Sequence, residues 1–159
     1  MSEAPRFAEA PSARSPSSVS QNVAPVLLAT VSGFARYATM TGVLATVFIV
    51  DDHEAFRKSA RAMLEADGFR VVGESEDGEG ALRAIATLRP HVVLLDIQLP
   101  GIDGFDVAAR LADSADPPEV VLISSREAAV YGSRLGETPS RGFIPKRELS
   151  GKALAELVD

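Results

Sequence analysis

Hydrophobic and polar positions follow two different regimes along the chain. Upstream of residue 45 the apolar residues are scattered among Ala, Pro and Ser, without a sustained period. From Thr46 onward, short continuous apolar runs take turns with helical repeats. Thr46-Val47-Phe48-Ile49-Val50 is β-branched and aromatic throughout and stops at Asp51-Asp52, the signature of a strand buried on both faces. Glu54 to Asp67 then carries Phe56, Ala60, Met63 and Leu64 at helical spacing, with Gly68 as its stop. Phe69 to Gly73 predicts a second strand. Gly78 to Leu88 predicts a second helix, ended before Pro90. His91 to Asp96 is a third apolar strand, and a Pro100-Gly101 loop leads to a helix over about 104–112. Glu119 to Ile123 predicts the fourth strand, ending in Ser124-Ser125. A weak helix follows over about 126–135, interrupted by Gly132 and stopped near Gly136 and Pro139. Arg141 to Pro145 is the fifth strand, closing on Lys146, and Glu148 to Val158 the last helix.

Five strands alternating with five helices form the βα pattern of a parallel sheet covered on both faces. Right-handed crossovers leave few topologies. The expected fold is α/β: a doubly wound five-stranded parallel sheet, flavodoxin-like (βα)5, with strand order 2-1-3-4-5.

Composition sharpens the boundary. The chain has 159 residues and a net charge of −6, the size of one ordinary domain. Residues 1–45 hold three arginines and two glutamates, a balance of +1, whereas residues 46–159 hold 13 basic and 20 acidic residues, a balance of −7. Such an acidic folded part argues against binding a nucleic-acid backbone. Cysteine is absent, which excludes disulfides, thiolate metal sites and a cysteine nucleophile and fits a cytoplasmic location. The apolar stretch from Val23 to Val31 is well short of the roughly 20 residues of a spanning helix, and it is a poor secretory signal. Two readings of the upstream part stand level: a disordered extension, or sequence preceding a true start at Met40. Residues 1–45 are therefore set apart from a folded domain at 46–159.

In an open parallel sheet the ligand crevice lies beyond the carboxyl ends of the strands. Strand 1 delivers Asp51 and Asp52 there, strand 3 Asp96, strand 4 Ser124 and strand 5 Lys146. Taken singly, each has a plainer reading. Asp51-Asp52 and Ser124-Ser125 suit helix caps, Asp96 suits a turn, and Lys146 suits solvent. Their convergence on one edge favours chemistry. Crowded carboxylates repel one another, and a hard divalent cation such as Mg²⁺ relieves the repulsion while keeping sites for phosphoryl oxygens. An aspartate can itself be the nucleophile, giving an aspartyl phosphate. Lys146 and the Ser124 hydroxyl would then neutralise or hydrogen-bond the remaining oxygens.

The segments Phe48-Ile49-Val50-Asp51-Asp52-His53, Leu94 through Gly104, Val121-Leu122-Ile123-Ser124-Ser125 and Gly142-Phe143-Ile144-Pro145-Lys146 resemble the receiver domain of bacterial two-component response regulators. The likeness covers residues 46–159. It implies Asp96 as phosphoacceptor, Asp52 as a direct and Asp51 as a water-mediated Mg²⁺ ligand, and the Gln98 main-chain carbonyl as a further one. It also implies Ser124 and Phe143 as the switch pair and Lys146 as the partner of the phosphoryl group. Gln98 and Arg126, each two residues beyond a site residue, would tune dephosphorylation. One departure is that Pro145 precedes the lysine and Arg147 follows it, where many receivers have a proline after it. The expected partners are a sensor histidine kinase or phosphotransfer protein upstream and a protein downstream, with no direct contact to nucleic acid or membrane. The protein would be a monomer or a phosphorylation-dependent dimer. No residues remain after the fifth helix for an output domain, so a stand-alone receiver is expected: a signalling protein with intrinsic autophosphatase activity rather than an enzyme. The main alternative is a receiver-like interaction module that is never phosphorylated. A phosphohydrolase would want a second acid–base carboxylate where Gln98 stands, and an N-terminal fragment of a DNA-binding regulator is the remaining reading. His53 and His91 read as structural, and Asp103 as shaping the loop after Asp96.

Overall fold

A computed structural model describes residues 42–158. The chain runs β1 (Thr46–Val50), α1 (Glu54–Ala66), β2 (Arg70–Ser75), α2 (Gly78–Leu88), β3 (Val92–Asp96), α3 (Gly104–Ala112), β4 (Glu119–Ser124), α4 (Arg134–Glu137), β5 (Gly142–Pro145) and α5 (Gly151–Val158). The five strands are parallel, in the order β2-β1-β3-β4-β5, as the βα alternation predicts.

Side chains of successive strand residues point to opposite faces, and the core divides accordingly. Val47, Ile49, Val92, Leu94, Val121, Ile123 and Ile144 pack under α1 and α5 with Ala60, Leu64, Leu154, Ala155 and Val158. Phe48, Val50, Val93, Leu95, Val120 and Leu122 pack under α2 and α3 with Ala81, Ile85, Val107, Ala108 and Leu111. β3 is fully buried on both faces, which is why it reads as an unbroken apolar run. Each fully buried Leu or Ile contributes about 1.5–3 kcal/mol.

Helix starts follow local chemistry. Asp77 caps α2 by accepting from Gly80 N–H at 2.7 Å, and Asp103 caps α3 by accepting from Asp106 N–H at 2.9 Å. α5 begins later than predicted. Residues Lys146–Glu148 form a 3₁₀ turn and Leu149 is extended; Ser150 Oγ then accepts from Ala153 N–H at 3.0 Å. Gly151 N–H donates to Asp67 Oδ2 at 2.8 Å, tying α5 to the end of α1.

The predicted helix over about 126–135 does not form as one element. In its place are a 3₁₀ turn at Ala128–Val130 and the single turn of α4. Gly132 lies between them at φ +55°, a left-handed conformation that ends the first turn. β2 continues two residues past the predicted Gly73, to Ser75.

The proposed extension over residues 1–45 lies outside the described residues as far as residue 41. The last positions of that span belong to the domain: Leu44 and Ala45 are buried, Leu44 N–H donates to Gly68 O at 3.0 Å, and Arg70 N–H donates to Ala45 O at 2.9 Å. No helix among the described residues is long and apolar enough to cross a membrane.

Candidate functional site

The buried polar and charged residues among those described are Asp51, Asp96 and Ser124. All three stand at the carboxyl ends of adjacent strands. Register places them there: Val50 pairs with Leu95, Asp96 with Ile123, and Ser124 with Pro145. Asp51 is therefore level with Asp96, and Lys146 follows the residue level with Ser124. A parallel sheet thus gathers side chains up to 95 residues apart in sequence at one edge.

Lys146 sits among the carboxylates. Its Nζ is 2.5 Å from Asp51 Oδ2 and 3.2 Å from Asp96 Oδ2. It also lies 4.7 Å above the centre of the Phe56 ring, whose negative face favours the cation. Burial works against the lysine's charge, but the carboxylates of Asp51 and Asp96 outweigh it and hold its pKa above the usual value. Asp96 responds oppositely. Burial, with the Asp51 charge added, pushes its carboxyl up to about 6, against the partial opposition of Lys146 and the Gln98 N–H.

The two Asp51 oxygens differ. Oδ1 accepts from His53 N–H at 2.8 Å and lies 3.1 Å from His53 Nδ1. Oδ2 is buried, contacts Lys146 and has no hydrogen-bond partner of good geometry. His53 Nδ1 is also 3.0 Å from Asp52 Oδ1, so the half-exposed Asp52 carboxylate turns back toward the site. The ligand atoms of Asp51, Asp52, His53 and Asp96 all lie within 4.8 Å of one another. Three carboxylates face one lysine here. A buried oxygen without a hydrogen-bond partner, in an aspartate-rich set with uncompensated negative charge, fits a hard divalent cation such as Mg²⁺.

Two plainer readings fail on geometry. The residue before α1 is His53, which makes no side-chain cap, while Asp51 accepts from His53 itself. Ser124 does not cap a helix either: its Oγ accepts from Arg126 N–H at 3.0 Å within the following turn. The structure places the other predicted residues nearby. Exposed Gln98 donates its N–H to Asp96 Oδ1 at 3.1 Å, Arg126 is exposed beside Ser124, and Phe143 is half-buried against the α2–α3 side of the core. His91 lies at the opposite end of the sheet, bonded to Thr46.

Sequence reasoning missed Tyr131. Its hydroxyl is 2.6 Å from Ser124 Oγ. Its ring meets Phe105 edge-on at 5.7 Å and 70°, and Phe143 at 6.2 Å and 60°. Helical spacing predicts Phe56 on α1 but not its place beneath Lys146. No spacing points either residue to the site, because both reach it from helical or turn segments instead of strand ends.

Known proteins resemble this chain over the same domain. Residues 47–158 match the family model described as the response regulator receiver domain. The response regulator GacA of Pseudomonas viridiflava is 35% identical over 113 residues, 70% of this chain and 51% of that protein. The chain spans about half the length of the curated relatives it matches. The signal receiver domain of NarL from Mycobacterium tuberculosis is similar at a TM-score of 0.62 and 36% identity, covering 72% of this chain and 95% of that one. A chain of the CheX–CheY–BeF3–Mg complex from Borrelia burgdorferi is similar at a TM-score of 0.63 and 25% identity, covering 74% of this chain and 89% of that one.

Proposed function

The chain belongs to the response regulator receiver domain family, and from that premise we propose that it accepts a phosphoryl group on Asp96 and passes the signal to a protein partner. The observation that carries this reading is the contact of Lys146 Nζ with both Asp51 and Asp96 at the buried end of the sheet. That contact sets a nucleophile, a cation and a pair of acidic ligands around one point.

An ionised Asp96 oxygen bonds to phosphorus while the donor's P–N or P–O bond breaks and the leaving group keeps the electron pair. The donor is a phosphohistidine on a sensor kinase or a phosphotransfer protein, or a small acyl phosphate. Asp51, Asp52, Asp96 and the Gln98 carbonyl would hold Mg²⁺, whose charge offsets the crowded carboxylates and the incoming phosphoryl oxygens. Lys146 trades its contact with the Asp96 carboxylate for one with a phosphoryl oxygen. The Ser124 hydroxyl donates to another, and Phe143 repacks with it. The outcome is a changed surface around β4, β5 and the segment between them, which a protein partner reads. Hydrolysis reverses the state when water attacks phosphorus and the bond to Asp96 breaks. Gln98 and Arg126, exposed beside Asp96 and Ser124, set how water reaches it.

Incubation with acetyl phosphate followed by intact mass measurement tests the reading. One phosphoryl adduct is expected, dependent on Mg²⁺ and absent in Asp96→Asn. Lack of an adduct from acetyl phosphate and from a phosphorylated kinase alike would favour a constitutive interaction module. An adduct that persists in Asp96→Asn would place the chemistry elsewhere.

A further inference from the structure

We propose that Tyr131 is a positioning residue that latches the Ser124 hydroxyl in the resting protein, so that phosphorylation must break the Ser124–Tyr131 bond. The inference rests on the reading of Asp96 as phosphoacceptor and adds how the switch is held off.

A serine hydroxyl has one proton and two lone pairs. At Ser124 one lone pair is taken by Arg126 N–H at 3.0 Å. Tyr131 Oη, at 2.6 Å, takes either the remaining lone pair or the proton. In both cases Oγ is aimed at Tyr131, and the bond is short even for a hydroxyl pair. Ser124 is fully buried, so water does not compete for the hydroxyl.

The far end of this bond is anchored. Tyr131 lies between Phe105 at the start of α3 and Phe143 on β5, edge-on to both. The Arg134 guanidinium sits 4.1 Å over the Phe105 ring and 3.7 Å from Asp103. Besides the Glu127–Arg147 and Arg141–Glu119 ion pairs near its ends, the segment between β4 and β5 is lightly packed: neither the turn at Ala128–Val130 nor α4 contains a buried residue. Tyr131 and Leu135 are the hydrophobic residues through which it packs on the core. The same side chain therefore holds the switch hydroxyl and the segment that must move. When Ser124 turns to a phosphoryl oxygen, Tyr131 loses its polar partner, and its grip on Phe143 and the segment loosens together.

Tyr131→Phe keeps the ring contacts and deletes only the hydroxyl. If the two bonds of Ser124 are mutually exclusive, the variant is phosphorylated by acetyl phosphate with Mg²⁺ roughly two- to tenfold faster than the wild type, the range set by one net hydrogen bond. The gain must vanish on a Ser124→Ala background, where there is no hydroxyl to release. A merely structural tyrosine would give the same change in both backgrounds. Wild-type labelling with an unchanged or slower Tyr131→Phe, or a gain that survives Ser124→Ala, overturns the latch and leaves the phosphoacceptor reading standing. Failure of the wild type to label at all defeats that reading, and the latch falls with it.

Discussion

Asp96 carries a cost in the resting protein. Its carboxyl is ionised at 3.8 in an exposed setting and at about 6 in the fold, because burial and the neighbouring Asp51 charge oppose ionisation. Between those values the folded state holds a proton that the unfolded chain has lost. Stability from this group is fully present below 3.8 and is lost as pH rises through about 6. Removing the charge should therefore stabilise the protein at neutral pH. Asp96→Asn is expected to be more stable than the wild type by on the order of 1–3 kcal/mol at pH 7.5. The advantage should shrink toward zero near pH 4, as read from urea midpoints in the absence of Mg²⁺. A variant less stable at pH 7.5 would mean that the Lys146 contact outweighs the burial of Asp96. The same balance bears on function: a protonated Asp96 is not a nucleophile, so the carboxyl passes into its reactive, ionised form as pH rises through about 6.

Among the elements, the start of α3 leaves no room for a side chain. A Cβ on Gly104 would stand 2.3 Å from Asp96 O and 2.7 Å from Ile97 Cα, both backbone atoms that cannot step aside, and Gly104 N–H donates to Ile97 O at 2.9 Å. The helix thus closes directly on the peptide that carries Asp96. Gly104→Ala should cost about 1–3 kcal/mol in urea unfolding and slow labelling of Asp96 by acetyl phosphate. Normal labelling in a destabilised variant would show that the loop moves without moving the carboxylate. Elements with strong local signals were legible from sequence. β1 and β3 are unbroken apolar runs because both their faces are covered, α2 ends before Pro90 and α3 follows the Pro100-Gly101 loop. The segment after β4 was not legible. Its helical spacing is real, but Gly132 at φ +55° breaks it, and a side-chain bond from Tyr131 to Ser124 decides where the chain goes. The site shows the same division. Asp51, Asp52, Asp96, Ser124 and Lys146 come together because parallel strands bring their ends to one edge. Phe56 and Tyr131 arrive through packing that no spacing encodes.

At the scale of the molecule, one sheet separates two cores, whose members among the described residues run from Leu44 to Val158. The α1–α5 side closes on itself through the Asp67–Gly151 bond, and Leu44 enters it beneath Gly68. The α2–α3 side holds Tyr131 and Phe143. The proposed switch residues Tyr131 and Phe143 are thus packed on one core, while Phe56, beneath Lys146, packs on the other. If these residues complete both cores, the domain does not depend on residues 1–41 for its folding. A chain beginning at Gly42 is expected to unfold in urea in one transition, at the midpoint of the full chain and with a slope of about 1–3 kcal/mol per molar. Its labelling at Asp96 should be unchanged. A midpoint lower by the equivalent of about 1 kcal/mol or more would mean that upstream residues add to one of the two cores. Fluorine-labelled phenylalanine would then say which one, because Phe56 and Phe69 report on the α1–α5 side and Phe48 and Phe105 on the other.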